Sequence, residues 1–236
     1  MNYALSVVQW SWPQYVEQII AQDQRRLRNS KFSPLQVLPD SGRWSYLEEL
    51  AACRKSFAQA PLLAQMPPDD LRRVAGTLAP ATERWFGSTG AGRSATVVKQ
   101  RPQELAEWLD AIPLTGSITP VQIEKYLSGM ISVSGISIPT ATRLLAMKRP
   151  DCCVPVSLSN IAGFRSDSGL GQLCPLPTIW NKQDPKELNS IAHQYASLLQ
   201  QIWNAPWWQA PPPDDGLEAS IWQGRAALLD VLFYDP

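Results

Sequence analysis

The chain has 236 residues, and its 21 basic and 21 acidic side chains give a formal net charge of zero at pH 7. This balance argues against a nonspecific nucleic-acid coat, although a local basic face remains compatible with it. The length suits a single helical domain over residues 1–236, or two intimate lobes, with a core that needs no staples.

Helical periodicity dominates the chain and predicts a mostly α fold. We expect helices at about residues 13–28, 44–57, 68–77, 102–109, 185–203 and 216–234, in addition to a helix pair in the middle of the chain. Many of the 21 prolines fall between these segments, as they do at helix boundaries. Alternating apolar residues at 95–99 and 153–156 are too few to build a sheet.

Two segments of the N-terminal half have competing interpretations. Four basic residues end the first helix: Arg25, Arg26, Arg28 and Lys31. They are interpreted as a solvated helix end, where cations meet the helix dipole favourably, with a second nucleic-acid contact as the alternative. Residues 87–94 nearly spell a phosphate-binding loop, but the sequence of the preceding segment predicts a helix rather than a strand, so a flexible connector is expected.

Residues 119–150 predict two helices joined by a tight turn. Thr119 is a good N-cap, and the following Pro120 suits the first helical position. Gly135 allows a sharp turn, and Ser137 can cap the second helix. Free backbone N–H groups at that helix start could bind a phosphate oxygen.

Local charge makes this helix pair a candidate DNA element, although ordinary αα-hairpins have the same spacing. Residues 119–150 contain four basic residues and one acidic residue, which gives a local charge of +3. The predicted DNA-binding set combines backbone and side-chain contacts: Gly135, Ile136, Ser137, Ile138, Thr140, Arg143, Lys148 and Arg149.

The segment 133–160 resembles the core signature of the helix-hairpin-helix DNA glycosylase superfamily, especially its 8-oxoguanine-glycosylase-fold branch. The superfamily pattern is Gly-apolar-Gly-x-Lys-Thr-Ala, an apolar helix and Pro-Val-Asp. Residues 135–141 read Gly-Ile-Ser-Ile-Pro-Thr-Ala, and residues 154–157 read Val-Pro-Val-Ser. The resemblance implies a helical glycosylase-like fold that binds double-stranded DNA, and bacterial relatives make defence against phage DNA with modified bases a plausible setting.

Three substitutions depart from the superfamily pattern: Ser137 replaces the second hairpin glycine, and the other two fall on catalytic positions. Pro139 stands where bifunctional members carry the lysine that attacks the sugar, which excludes Schiff-base chemistry from that position. Ser157 stands where the superfamily carries its aspartate, and it cannot offer a carboxylate to a developing sugar cation. The catalytic candidates are therefore Asp151 in the same exit loop, the substituted Ser157 and, next along the chain, Asp167. For both aspartates, a solvated turn residue is the competing interpretation.

Ten tryptophans supply both core and stacking candidates. Tryptophan stacks well on bases, but it also buries a large apolar area. Position in the chain favours Trp10, Trp12 or Trp180 for a base pocket, whereas the Trp-Pro-rich segment 204–213 is expected to hold the last helix in place.

No metal or other cofactor is expected. The chain has one histidine, His193, and its four cysteines show no C-x-x-C pairing, which is typical of reduced thiols in a cytoplasmic protein. No 18-residue apolar run or signal peptide is recognised, so no membrane association is expected.

The function hypotheses are a monofunctional DNA glycosylase, a non-catalytic DNA-binding module of the same fold, and a helical interaction protein unrelated to DNA. The first is favoured. A monomer without a nucleotide cofactor is expected.

Overall fold

The computed structural model describes residues 5–30, 35, 45–76, 93–177 and 180–233. The described chain is mostly helical, and it contains no β-strand. Its α-helices are α1 Trp12–Ser30, α2 Tyr46–Gln59, α3 Pro68–Val74, α4 Arg93–Gln100, α5 Pro102–Leu109, α6 Pro120–Ser132, α7 Ile138–Lys148, α8 Ile161–Ser166, α9 Pro185–Trp203, α10 Pro206–Gln209, α11 Gly216–Gln223 and α12 Leu229–Phe233. Short 3-10 helices occur at Val7–Gln9, Leu63–Gln65 and Gly171–Leu173.

Most predicted helices are confirmed, and the helix over 185–203 has the predicted bounds. Segment 95–99 lies within helix α4, and helix α8 was not predicted. The start of the 44–57 prediction, the end of the 68–77 prediction, Lys31 and most of the phosphate-loop-like segment lie outside the described residues.

The predicted helix over 216–234 is wrong, because the chain breaks into α11 and α12. At the break, the N–H groups of Ala226 and Ala227 donate to the carbonyl of Pro150, at 3.1 and 3.0 Å. Because these two N–H groups bond to a carbonyl outside the segment, they do not form the hydrogen bonds of a continuous helix. This places the neighbouring Arg225 beside the exit of α7.

Helix α7 lies at the centre of the molecule, and ten of its eleven residues are buried. The predicted caps are present: Thr119 forms a reciprocal capping box with Gln122, and Ser137 accepts from the Thr140 N–H. Gly135 has a φ of +93°, which glycine adopts without strain. Tyr126 Oη donates to the α7 backbone at 2.7 Å and ties α6 to α7.

The segment that follows α7 turns and runs back beside it. The Val156 N–H donates to Thr142 Oγ1 at 3.0 Å, so the exit segment lies along the flank of the helix. Asp151 therefore lies near the C-terminal end of α7, while Ser157 lies nearer its start. This separates two of the catalytic candidates.

Candidate functional site

A cavity of about 550 Å³ opens at the C-terminal end of α7. This volume falls within the usual range for small-molecule sites, about 300–1,000 Å³. The loop before α6, the α7 exit, the end of α9 and the α10–α11 region line it together with α2. The lining residues are Arg54, Leu114, Thr115, Gly116, Ser117, Ile118, Arg149, Asp151, Cys152, Trp203, Trp208, Trp222, Gln223 and Arg225.

Three tryptophans form the aromatic part of the cavity wall. Each indole N–H group donates to a backbone carbonyl. Trp203 donates to Cys152 at 2.7 Å, Trp208 to Asp151 at 2.7 Å, and Trp222 to Ala210 at 3.0 Å. The rings of Trp203 and Trp208 lie 6.4 Å apart and are tilted by 42°. Because the polar edges are already bonded, the rings are fixed and offer apolar surface to a ligand.

Asp151 is the carboxylate of this cavity. It forms a two-pronged contact with Arg149, with Oδ1 at 3.0 Å from Nε and Oδ2 at 2.9 Å from Nη2. Burial opposes ionisation, but the hydrogen bonds and charge of Arg149 outweigh it and hold the pKa of the Asp151 carboxyl below its usual value. Its side chain remains 30% exposed, so a ligand can reach a carboxylate that is ionised at neutral pH.

Cys152 is the one thiol on the cavity wall among the described residues. Burial, followed by the neighbouring Asp151 charge, raises the pKa of its thiol to about 12. A thiol with this pKa is protonated at neutral pH, so Cys152 is a poor nucleophile.

Ser157 lies in a separate, closed environment. The Ser157 side chain is buried, and its Oγ has no hydrogen-bond partner among the described residues. Its N–H donates to Asn160, whose amide donates to Asp230 at 2.6 Å. Tyr46 Oη also donates to Asp230, at 2.7 Å. A buried carboxyl thus lies near the substituted position, but it serves to join α12, α2 and the exit segment.

The Asp230 network gives a pH-dependent prediction for Tyr46→Phe. Burial raises the pKa of the Asp230 carboxyl, although the Tyr46 and Asn160 hydrogen bonds oppose that rise. The Tyr46 hydroxyl stabilises the ionised form, so its removal should cost about 1–3 kcal/mol of unfolding free energy above the Asp230 pKa. The cost should shrink at acidic pH, where the carboxyl is protonated in parent and variant. Urea unfolding across this pH range measures it, and an equal cost at every pH would contradict it.

The predicted phosphate contacts of Arg143 and Lys148 are contradicted by their burial. Arg143 is fully buried and pairs with Glu49 at 3.3 Å. Lys148 Nζ donates to the Leu109 carbonyl at 2.9 Å, and burial lowers the pKa of this ammonium to about 8. Both side chains point into the protein, so the local charge of +3 does not form a basic surface.

The Arg149 side chain also points into the protein, where it binds the loop before α6. Besides Asp151, it donates to the carbonyls of Pro113 at 3.0 Å and Gly116 at 2.8 Å. This bonding contradicts the prediction of a contact with an external DNA backbone, because its donors are already used inside the protein. Arg149 instead fixes both the cavity wall and the Asp151 carboxylate.

The turn before α7 keeps part of its predicted potential for backbone contacts. The Ile136 N–H is used by the Val133 carbonyl at 3.1 Å, which removes it from the predicted set. The side chains of Ile136, Ile138 and Thr140 are buried, so only their backbone could meet a phosphate. Lys182 reaches this turn and donates to the Ile136 carbonyl, and it is a cation that the sequence did not single out.

The Asp167 carboxylate is used in structural hydrogen bonds, which contradicts the prediction that it is a catalytic acid. Its carboxylate accepts from Ser6 Oγ at 2.5 Å and from the N–H groups of Val7 at 2.9 Å, Gly169 at 2.8 Å and Leu170 at 3.1 Å. The side chain is buried. These bonds anchor the N-terminal segment to the loop after α8.

The three tryptophans predicted for a base pocket do not line the cavity. Trp10 is buried in the core, and Trp12 stacks on Tyr15 with centroids 5.7 Å apart. Trp180 lies under Lys182, whose Nζ is 5.0 Å from the ring centroid, near the turn before α7. The cavity uses Trp203, Trp208 and Trp222 instead, which long-range packing brings together.

Among the described residues, no group of three histidine, cysteine, aspartate or glutamate side chains is arranged to hold a metal ion. No helix in the described part of the chain has the length and apolarity needed to cross a membrane.

No family model, curated protein or solved structure matches this chain.

Proposed function

We propose that this chain is a DNA glycosylase that hydrolyses the N-glycosidic bond of a modified base. The observation that carries the proposal is the Asp151 carboxylate, which lies ionised in a cavity with three tryptophan walls at the exit of α7. A flipped nucleotide requires aromatic or apolar faces for its base. Asp151 precedes, in the same exit segment, the position at which the sequence resemblance expects the catalytic acid, which is Ser157 in this chain.

The chemistry needs only a water molecule and a carboxylate. As the bond between C1′ and the base nitrogen breaks, positive charge develops on the sugar, and the Asp151 carboxylate stabilises it. Water adds to C1′ and gives one proton to Asp151, and the base leaves with the electrons of the broken bond and takes up a proton from solvent water. Asp151 then returns its proton to solvent. Strand cleavage through an amine at Pro139 is excluded by its side chain.

The direct test offers duplex oligonucleotides that carry modified purines or cytosines, including bulky phage-type cytosines. Abasic sites are scored by strand cleavage in hot alkali. We expect alkali-dependent cleavage at the modified position of at least one substrate, with intact strands before alkali. Duplex binding without abasic sites on any substrate would overturn the proposal.

A non-catalytic DNA-binding module is the second candidate, and the substitution at Ser157 favours it. The superfamily position carries no carboxylate, and the carboxylate that is present, Asp151, is paired with Arg149. If pairing neutralises Asp151 too strongly, the cavity holds a base but does not release it. Saturable binding of modified duplexes without product distinguishes this candidate from the enzyme.

Gly135→Val tests whether the turn before α7 contacts DNA. Valine at a φ of +93° is strained, so the backbone around Ser137 and Ile138 must shift. We expect duplex affinity at low salt to fall about tenfold, the equivalent of about 1.4 kcal/mol, with loss of part of the salt dependence.

Gly216→Val is the matched control, because Gly216 has a φ of +74° and lies at the start of α11. It carries the same kind of backbone strain away from the turn. Fluorescence anisotropy measures affinity, and circular dichroism checks that both variants are folded. Equal affinity of Gly135→Val and the parent would remove the turn from the DNA interface.

A further inference from the structure

Arg225 is a buried cation with an unused donor in the cavity. The residue is 6% exposed. Its Nε donates to the Trp208 carbonyl at 3.1 Å and its Nη1 to the Trp222 carbonyl at 2.8 Å. No hydrogen bond from Nη2 to any described residue is present, and Arg225 forms no ion pair within the described part of the chain. Asp151 attracts Arg225 electrostatically, but its carboxylate is already paired with Arg149, so the buried guanidinium has no direct anionic partner of its own. A buried charge in this position favours the binding of an anion.

Two aromatic rings fix the plane of this guanidinium. Its Cζ lies 3.9 Å from the Trp222 ring centroid and 4.8 Å from that of Trp208. Stacking and two backbone hydrogen bonds leave the side chain little freedom, so its remaining donors are aimed before a ligand arrives. This is the arrangement of a binding site rather than of a mobile surface arginine.

The net charge of the cavity wall also favours an anionic ligand. Arg54, Arg149 and Arg225 face one lining carboxylate, Asp151, so two positive charges are in excess. Arg149 pairs with Asp151 through a bidentate contact, which reduces the repulsion between that carboxylate and an incoming anion. A neutral base alone would leave Arg225 without a direct anionic partner.

We propose that the cavity binds the phosphate group of a nucleotide through Arg225, with the base against the tryptophan walls. Guanidinium groups match phosphate oxygens in geometry and charge, and the indole rings provide the stacking surface that a base needs. The inference extends the proposed function, since it makes a phosphate-bearing nucleotide, and not a bare base, the recognised unit. The phosphate is supplied either by a free nucleoside monophosphate or by a nucleotide within a DNA strand.

Tryptophan fluorescence provides the test, because three indoles line the cavity. The protein is titrated with thymidine 5′-monophosphate, with thymidine and with a short oligothymidylate. We expect the monophosphate to bind about tenfold more tightly than thymidine, the ratio typical of one charge-assisted hydrogen bond. Tighter binding of the oligonucleotide than of the monophosphate identifies a DNA strand as the source, and the reverse order identifies a free nucleotide. Equal affinity for thymidine and its monophosphate, or no saturable quenching by either, would overturn the inference.

Arg225→Gln should remove the preference for phosphate, so that thymidine and its monophosphate bind alike. Lys55→Gln is the matched control, because Lys55 is an exposed cation of α2 beside Arg54 but does not line the cavity. If Arg225→Gln does not fold, Arg225→Met takes its place, because an apolar side chain of similar length leaves no unpaired buried polar group. Retained preference in the folded Arg225→Gln protein, or in Arg225→Met where that variant stands in, would overturn the inference.

The two proposals fail separately. Phosphate preference without base release on any modified duplex would leave the inference standing and overturn the glycosylase. Base release with equal binding of thymidine and its monophosphate would support the glycosylase and overturn the inference of a phosphate site.

Discussion

Arg143→Ala is expected to lower the free energy of unfolding by about 3–5 kcal/mol, the usual cost of removing one partner from a buried ion pair. The guanidinium is fully buried and pairs with Glu49 at 3.3 Å. It also donates to the carbonyls of Val74 at 3.2 Å and Arg73 at 3.3 Å, so alanine leaves a buried charge and two carbonyls with fewer donors. Gly76 packs against the same side chain, so truncation also creates a cavity.

Urea unfolding of parent and variant measures this loss. Lys125→Ala is the control, because Lys125 is an exposed cation of α6 in the same predicted DNA element, and its removal should change stability by less than about 0.5 kcal/mol. Replacing both partners, as Arg143→Met with Glu49→Leu, should recover much of the loss because no charge is left buried. An Arg143→Ala protein that is as stable as the parent but binds DNA weakly would restore the phosphate contact inferred from sequence.

The helices could be predicted from sequence because their signals are local. Caps such as Thr119 and Ser137 act within one turn of the chain, and proline and glycine mark the boundaries. The break between α11 and α12 escaped prediction for the opposite reason. It depends on the Pro150 carbonyl, far away in sequence, which takes two N–H groups that the helix would otherwise use.

Whether the cationic side chains of α7 point into the protein or toward solvent could not be predicted from sequence. Arg143 and Lys148 lie on a helix that is buried on almost every side, and the sequence shows no difference between an inward and an outward cation. Their partners, Glu49 and the Leu109 carbonyl, come from elements distant in sequence. The sum of nearby charges therefore gave a basic surface where the structure has buried pairs.

The candidate site was predicted in part. Asp151 was found from its position after α7, whereas the aromatic walls and Arg225 come from segments 50 or more residues further along the chain. One signal was available: the Trp-Pro-rich segment 204–213 lies between two helices and carries Trp208. The sequence predicts that this segment holds the last helix in place, but its proximity to Asp151 depends on the hydrogen bond from the Trp208 indole to the Asp151 carbonyl, which only the fold shows.

Asp151→Asn is expected to reduce base release by at least about 100-fold if the proposed glycosylase chemistry is correct. Asparagine keeps the size and one acceptor but removes the charge that stabilises the sugar cation. Because the ground-state complex does not need that charge, duplex affinity should stay within about threefold of the parent. The loss should therefore fall on kcat and kcat/KM together, with KM unchanged.

The substitution also disturbs Arg149, so stability must be measured alongside activity. Arg149 keeps its bonds to the Pro113 and Gly116 carbonyls, and the assay should run well below the melting temperature of the variant. Asp215→Asn is the matched control, since Asp215 is an exposed acid whose side chain caps no helix N–H, and its base release should equal that of the parent.

The pH profile separates a catalytic Asp151 from a merely structural one. The pKa of the Asp151 carboxyl is lowered, so its ionised form persists as the pH falls through the ordinary carboxyl range. Single-turnover base release by the parent should therefore stay level through that range and fall only at more acidic pH, as Asp151 becomes protonated. The Asp151→Asn protein should lack this acidic limb in its residual activity. Full activity in Asp151→Asn would exclude this carboxylate, and an unchanged acidic limb would assign the limb to another group.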